Sequence, residues 1–217
     1  MALMFTPEDK IIMIGDSITD AGRSQPASEP HGAGYVKTVT DWLGALYPSY
    51  RLQVLNRGIN GDTTRDLLGR WQTDVIAEQP QWVLIYIGVN DAWRLVEGLD
   101  DEAVRVPEFL ENYRSLLTQT RNESNARMIL VEPFIAETDH TDPFRNVLSE
   151  YQEAVHQVAY DYALSVVKLQ SAFDRGMIYQ PWRYWTTDRV HPTDVGHTLI
   201  AKEIFKIIGL TLYTTSF

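Results

Sequence analysis

With 217 residues, 44% of them apolar and 22% charged, the chain is long enough for one well-packed domain of an ordinary globular protein. The absence of cysteine excludes disulfides, thiolate catalysis and thiolate-bound zinc, and a net charge of −10 without any basic cluster argues against nucleic acid or an anionic membrane as the main partner. No run approaches the ~18 apolar residues of a membrane span, and MALMFTPEDK lacks the basic and apolar regions of a signal peptide, which leans the expected location towards the cytoplasm.

In chain order, a first strand is expected over 10–15, KIIMIG, ending on Gly15 and followed at once by Asp16 and Ser17. A helix over 35–47 would place Tyr35, Val36, Val39, Trp42, Leu43, Leu46 and Tyr47 on one face. Strands follow over 51–56, 82–88, 127–133 and 164–169, most of them continuous apolar runs as in strands covered on both faces. Helical periodicity recurs over 63–78, from 106 (Val106, Phe109, Leu110, Tyr113, Leu116, Leu117), over 146–162 and over 193–208, with Pro192 at the entry to the last. A loop is read over 94–109. No repeat, low-complexity tract or linker interrupts the pattern, so one domain is expected over 1–217. Strands alternating with helices imply right-handed crossovers and a five-stranded, mostly parallel sheet between helices. Sites in such sheets form beyond the carboxyl ends of the strands.

Polar clusters fall at those ends: Gly15-Asp16-Ser17, then NRGINGDTT (56–64), then GVNDAW (88–93) and finally DRVHP (188–192). Together they hold the parts of a nucleophilic hydrolase. A serine hydroxyl needs a neighbouring base, and His191 is the candidate, with Asp188 placed to orient its ring. Each also has a plainer reading, as a turn cap for Asp188 or a solvated loop residue for His191. The oxyanion of an acyl transfer could be met by the Ser17 and Gly61 backbone amides and the Asn90 side chain. Gly61 could equally open a helix through a turn, and Asn90 could be a helix N-cap.

The four blocks IGDSITDAG, NRGINGDTT, IGVNDAW and DRVHP, in this order over 12–192, resemble the signatures of the GDSL, or SGNH, hydrolase family. Carried over, the resemblance implies Ser17, Gly61, Asn90 and His191 as the four named positions, Asp188 as the third triad member, and a flavodoxin-like α/β/α sandwich. Ile18 stands where the short family name has Leu. The second block offers Gly58 and Gly61, and position in the pattern favours Gly61. The Gly-x-Ser-x-Gly elbow of the larger α/β-hydrolases is absent around Ser17. GDSITDAGR, NDAWR and the ending WTTDRVHP are most similar to bacterial acetyl xylan esterases. That likeness implies removal of acetyl groups from xylo-oligosaccharides through an acetyl-serine, with neither metal nor cofactor.

The aromatics Tyr179, Trp182, Tyr184 and Trp185 precede the triad loop, and Trp93 follows Asn90. Trp93, Tyr184 and Trp185 are candidates for sugar stacking, with core packing or a homo-oligomer contact as the other readings. Arg23 and Arg65 are expected to pair with carboxylates such as Asp20 and Asp66 in preference to substrate. Two other functions stay open. A lysophospholipid or acyl thioester would use the same parts but wants a long apolar groove. A non-catalytic module could bind phosphate at the Gly15 loop, where Asp16 and Asp20 would repel it.

Overall fold

The structure, a computed structural model, describes residues 2–25 and 29–210; residues 1, 26–28 and 211–217 of the expected 1–217 domain lie outside the described residues. Five strands form one sheet: β1 (Lys10–Gly15), β2 (Gln53–Gly58), β3 (Trp82–Tyr86), β4 (Arg127–Val131) and β5 (Ser165–Val167). Every pairing is parallel and the order is β2-β1-β3-β4-β5. This is the flavodoxin-like arrangement, whose switch point lies between β1 and β3. The register sets Gly15 opposite both Gly58 and Tyr86, so three strands finish level at one edge.

The apolar runs of β1 and β3 are buried because helices cover both faces. The helices are α1 (Ser17–Asp20), α2 (Tyr35–Leu46), α3 (Thr64–Trp71), α4 (Val89–Val96), α5 (Val106–Glu123), α6 (Pro143–Tyr162), α7 (Leu169–Met177), α8 (Trp182–Trp185) and α9 (Asp194–Ile208). Right-handed crossovers put α2 and α9 together on one face, and α3, α5 and α6 side by side on the other. Among the described residues no helix is long and apolar enough to cross a membrane.

The differences from expectation have local causes. β2 runs two residues later than 51–56, because Arg51 takes a left-handed φ of +49° after the 3-10 turn Pro48–Tyr50, and the ladder with β1 continues through Arg57 and Gly58. On that edge strand burial alternates, so its polar end carries no apolar signal. In α2 the buried face is Tyr35, Val36, Val39 and Leu43, while Trp42 and Leu46 face solvent. The helix expected over 63–78 is α3 followed by the π-helical turn Gln72–Ile76. The loop read over 94–109 carries the end of α4 and the start of α5. The one-turn helices α1 and α8 are too short to show a period.

Candidate active site

Gly15 ends β1 where a Cβ would overlap the Tyr86 carbonyl and the Thr19 hydroxyl, so only glycine lets the chain turn this close to β3. Asp16 caps the single turn of α1, its Oδ1 accepting the Ile18 amide at 2.9 Å. Ser17 therefore opens α1 at the carboxyl edge of the sheet, and its amide is one of the unpaired donors of a helix N-terminus.

Ser17 Oγ lies 2.9 Å from His191 Nε2, and His191 Nδ1 lies 2.7 Å from Asp188 Oδ2. The carboxylate fixes the tautomer: Nδ1–H donates to Asp188, which leaves the Nε2 lone pair facing the serine hydroxyl. Asp188 also accepts the amides of His191 at 2.8 Å and Val190 at 3.0 Å through Oδ1. Partial burial opposes its ionisation, but these hydrogen bonds outweigh it and hold the carboxyl below its ordinary value. The turn that carries the pair is closed by the Thr187 amide on the His191 carbonyl at 2.8 Å and by a bridge between Thr186 and Pro192.

Two further loops complete the edge. Gly61 has φ +81°, and a Cβ there would meet only the Arg94 guanidinium, at 3.9 Å. Its carbonyl accepts from Arg94 Nη2 at 2.7 Å. Gly58 has a different duty: a Cβ on it would overlap the backbone of Thr19 and Asp20, so it lets α1 lie against β2. Asn90 is the second residue of α4, whose N-cap is Gly88 at φ +130°. Asn90 Nδ2 donates to the Asp62 carbonyl at 2.9 Å, which ties the β3–α4 turn to the Gly61 loop and leaves the second amide hydrogen unused. Beneath it, Asp91 accepts the Thr64 amide at 3.1 Å and the Thr64 hydroxyl at 2.6 Å. Burial pushes Asp91 up to about 7 despite those bonds. Asp16 is pushed to about 7 in the same way, and its Oδ2 is buried with no hydrogen-bond partner among the described residues.

Two hollows share His191. One, of about 310 Å³, is lined by Val89, Asn90, Trp93, Phe144, Arg189 and Val190 beside the triad loop. The other, of about 240 Å³, is lined by Ser17, Ile18, Ala33, Asp194 and His197 among others. His197 accepts the Tyr35 amide on Nδ1 at 3.2 Å and stacks on that ring, and burial pushes its pKa down to about 4.

The candidate aromatics divide. Trp93 is 41% exposed and stands in the larger hollow. Tyr184 and Trp185 line neither. The Trp185 ring sits where a Cβ on Gly176 would overlap it, meets Phe173 and Tyr184 edge-on, and donates Nε1–H to the Gln180 carbonyl at 3.3 Å. These contacts anchor α8 on α7. Arg23 pairs with Asp20 at 3.5 Å and donates to the Gly58 carbonyl. Arg65 pairs with Glu108 at 2.8 Å, not with Asp66, because Asp66 is committed to the capping box with Thr63. Sequence spacing gives no role to Arg94, Asp62 or Arg189. For Arg94 a signal existed, since it follows Asn90 by one helical turn.

A five-stranded parallel sheet with a serine, a histidine and a carboxylate hydrogen-bonded in series at its carboxyl edge defines a hydrolase of the nucleophilic-serine class. Residues 13–199 match the sequence profile of the GDSL-like Lipase/Acylhydrolase family, and the chain belongs to that family. It is 38% identical over 209 residues to the acetylxylan esterase of Geobacillus stearothermophilus, covering 93% of this chain and 94% of that one. The crystal structure of Axe2, an acetylxylan esterase from the same organism, superposes with a TM-score of 0.91 at 36% identity, over 96% of this chain and 98% of that one. LAE5, an alpha/beta hydrolase from the metagenome of Lake Arreo, Spain, gives 0.91 at 33% identity over 98% and 100% of the two chains.

Proposed function

We propose that this chain is a serine esterase that removes acetyl groups from acetylated xylo-oligosaccharides, with Ser17 as nucleophile, His191 as general base and acid, and Asp188 as the carboxylate that orients it. The observation that carries the reading is the unbroken series Ser17 Oγ, His191 Nε2, His191 Nδ1, Asp188 Oδ2, at 2.9 and 2.7 Å, in which His191 lines both the hollow that contains Ser17 and the hollow that contains Asn90 and Trp93. Full-length similarity to proteins named acetylxylan esterase supports the substrate class.

His191 Nε2 takes the hydroxyl proton as Ser17 Oγ attacks the acetyl carbonyl. The oxyanion that forms is met by the amides of Ser17 and Gly61 and by the unused hydrogen of Asn90 Nδ2. The imidazolium, held by ionised Asp188, returns its proton to the departing sugar oxygen and leaves an acetyl-serine. Water then enters, His191 takes its proton, and acetate departs as Ser17 Oγ regains a hydrogen. Trp93 offers a flat apolar face for a pyranose ring beside this chemistry. The test is acetate release from acetylated xylo-oligosaccharides by the intact protein and by Ser17→Ala. Release that vanishes in the variant is expected. An intact protein that hydrolyses an aryl acetate through Ser17 but releases nothing from the sugar refutes the xylan assignment and leaves the nucleophile.

A further inference from the structure

Arg189 stands between Asp188 and His191, yet nothing in the reaction above uses it. Its φ is +77°, in the left-handed region that side-chain-bearing residues rarely adopt. Its amide donates to Thr186 Oγ1 at 3.1 Å within the turn, and three further contacts reach one other segment, the irregular stretch 132–142 between β4 and α6. The Ala136 amide donates to the Arg189 carbonyl at 2.8 Å. Arg189 Nη1 donates to Glu137 Oε2 at 2.7 Å and to Asp142 Oδ2 at 2.9 Å.

That segment is itself pinned. Glu132, buried at the end of β4, accepts the Gln170 amide at 2.8 Å and pairs with His156 at 2.5 Å. Gln170 in turn bonds both the amide and the carbonyl of Ile135 at 3.0 Å. Arg145 joins the Glu137 carbonyl to Asp174. The support behind Arg189 is therefore bonded to α6 and α7, whereas the triad turn in front of it is largely exposed.

We propose that Arg189 is a positioning residue: by pairing with Glu137 and Asp142 while its carbonyl takes the Ala136 amide, it clamps the Asp188–His191 turn so that His191 Nε2 stays on Ser17 Oγ. The inference rests on the esterase reading for its kinetic consequence but not for its geometry. An unclamped turn would let the imidazole drift, and a displacement of about 1 Å in a reacting group costs on the order of 100-fold in rate.

Arg189→Gly is the discriminating variant, because glycine accepts φ +77° and keeps the Ala136 amide on its carbonyl, so that only the side-chain pairs with Glu137 and Asp142 are lost. The expected result is a kcat on an aryl acetate lowered about 10- to 100-fold with KM within about 2-fold, and substantial recovery in Arg189→Lys, which can still pair with Glu137. The low-field proton resonance of His191 Nδ1–H on Asp188 should be sharp in the intact protein and lost or broadened in the glycine variant. Native kcat with the resonance intact in Arg189→Gly overturns the proposal. So does a raised KM at unchanged kcat, which would make Arg189 a substrate contact. If the resonance is lost as expected but the intact protein hydrolyses no acetate ester, the clamp stands and the esterase reading falls.

Discussion

Replacing Asp16 by asparagine should make the protein's stability less dependent on pH in a direction that the structure fixes. Asp16 is fully buried. Burial raises its pKa, the Ile18 amide pulls it partly back, and the carboxylates of Asp91 and Asp62 raise it again, to about 7. An unfolded aspartate titrates near its model value of 3.8. Between those values the folded chain holds a proton that the unfolded chain has released, so ionisation works against folding as pH rises through the window. With these two values the linkage costs about 2 kcal/mol at pH 5 and about 4 kcal/mol at pH 8. Asparagine keeps the acceptor for Ile18 and cannot ionise. It also places an amide where Oδ2 has no partner, which subtracts about 1–3 kcal/mol at every pH. Only the slope is therefore diagnostic. Urea unfolding at pH 5, 6.5 and 8 should show the variant gaining about 2–3 kcal/mol on the native protein across the range. Parallel curves, with a gain below about 0.5 kcal/mol, would mean that Asp16 is ionised throughout and the burial argument is wrong.

Asn90→Ala should lower kcat on an aryl acetate about 100- to 1000-fold with the fold intact; a loss under 10-fold would remove Asn90 from the oxyanion site. His197 titrates near 4 when folded, below its ordinary value of 6.5, so it stabilises above that value and the benefit is lost as pH falls towards 4. His197→Gln should flatten the loss of stability between pH 7 and pH 5 by up to about 2 kcal/mol, read from urea midpoints. Trp185→Ala should lower stability by about 2 kcal/mol and cut activity on sugar acetates and aryl acetates alike. Trp93→Ala should leave stability near native while the sugar substrate loses more kcat/KM than the aryl acetate; equal losses would deny Trp93 a stacking role.

Much of this architecture was legible because the strands announce themselves. KIIMIG and WVLIYIG can be buried on both faces only if helices cover both, and the polar words after each strand then fall at one edge by topology. What periodicity could not supply was short or conditional. A helix of one turn such as α1 or α8 is specified by its caps and tertiary neighbours, not by a repeating face. Trp185 and Trp93 look alike in the sequence, and only the place of Gly176 beneath the indole separates an anchor from a cleft residue. Arg189 lies inside the block DRVHP, yet nothing there marks its role, because its partners Glu137 and Asp142 lie 52 and 47 positions away.

Ser17 and His191 are separated by 174 positions. On the proposed mechanism the nucleophile is therefore synthesised 174 residues ahead of its base, with β2, β3, β4 and β5 made between them. On that mechanism a chain that stops short of His191 lacks its base, however well its early strands have condensed. Recovered turnover during refolding would report the formation of that long-range pairing, which circular dichroism of the helices and strands does not read.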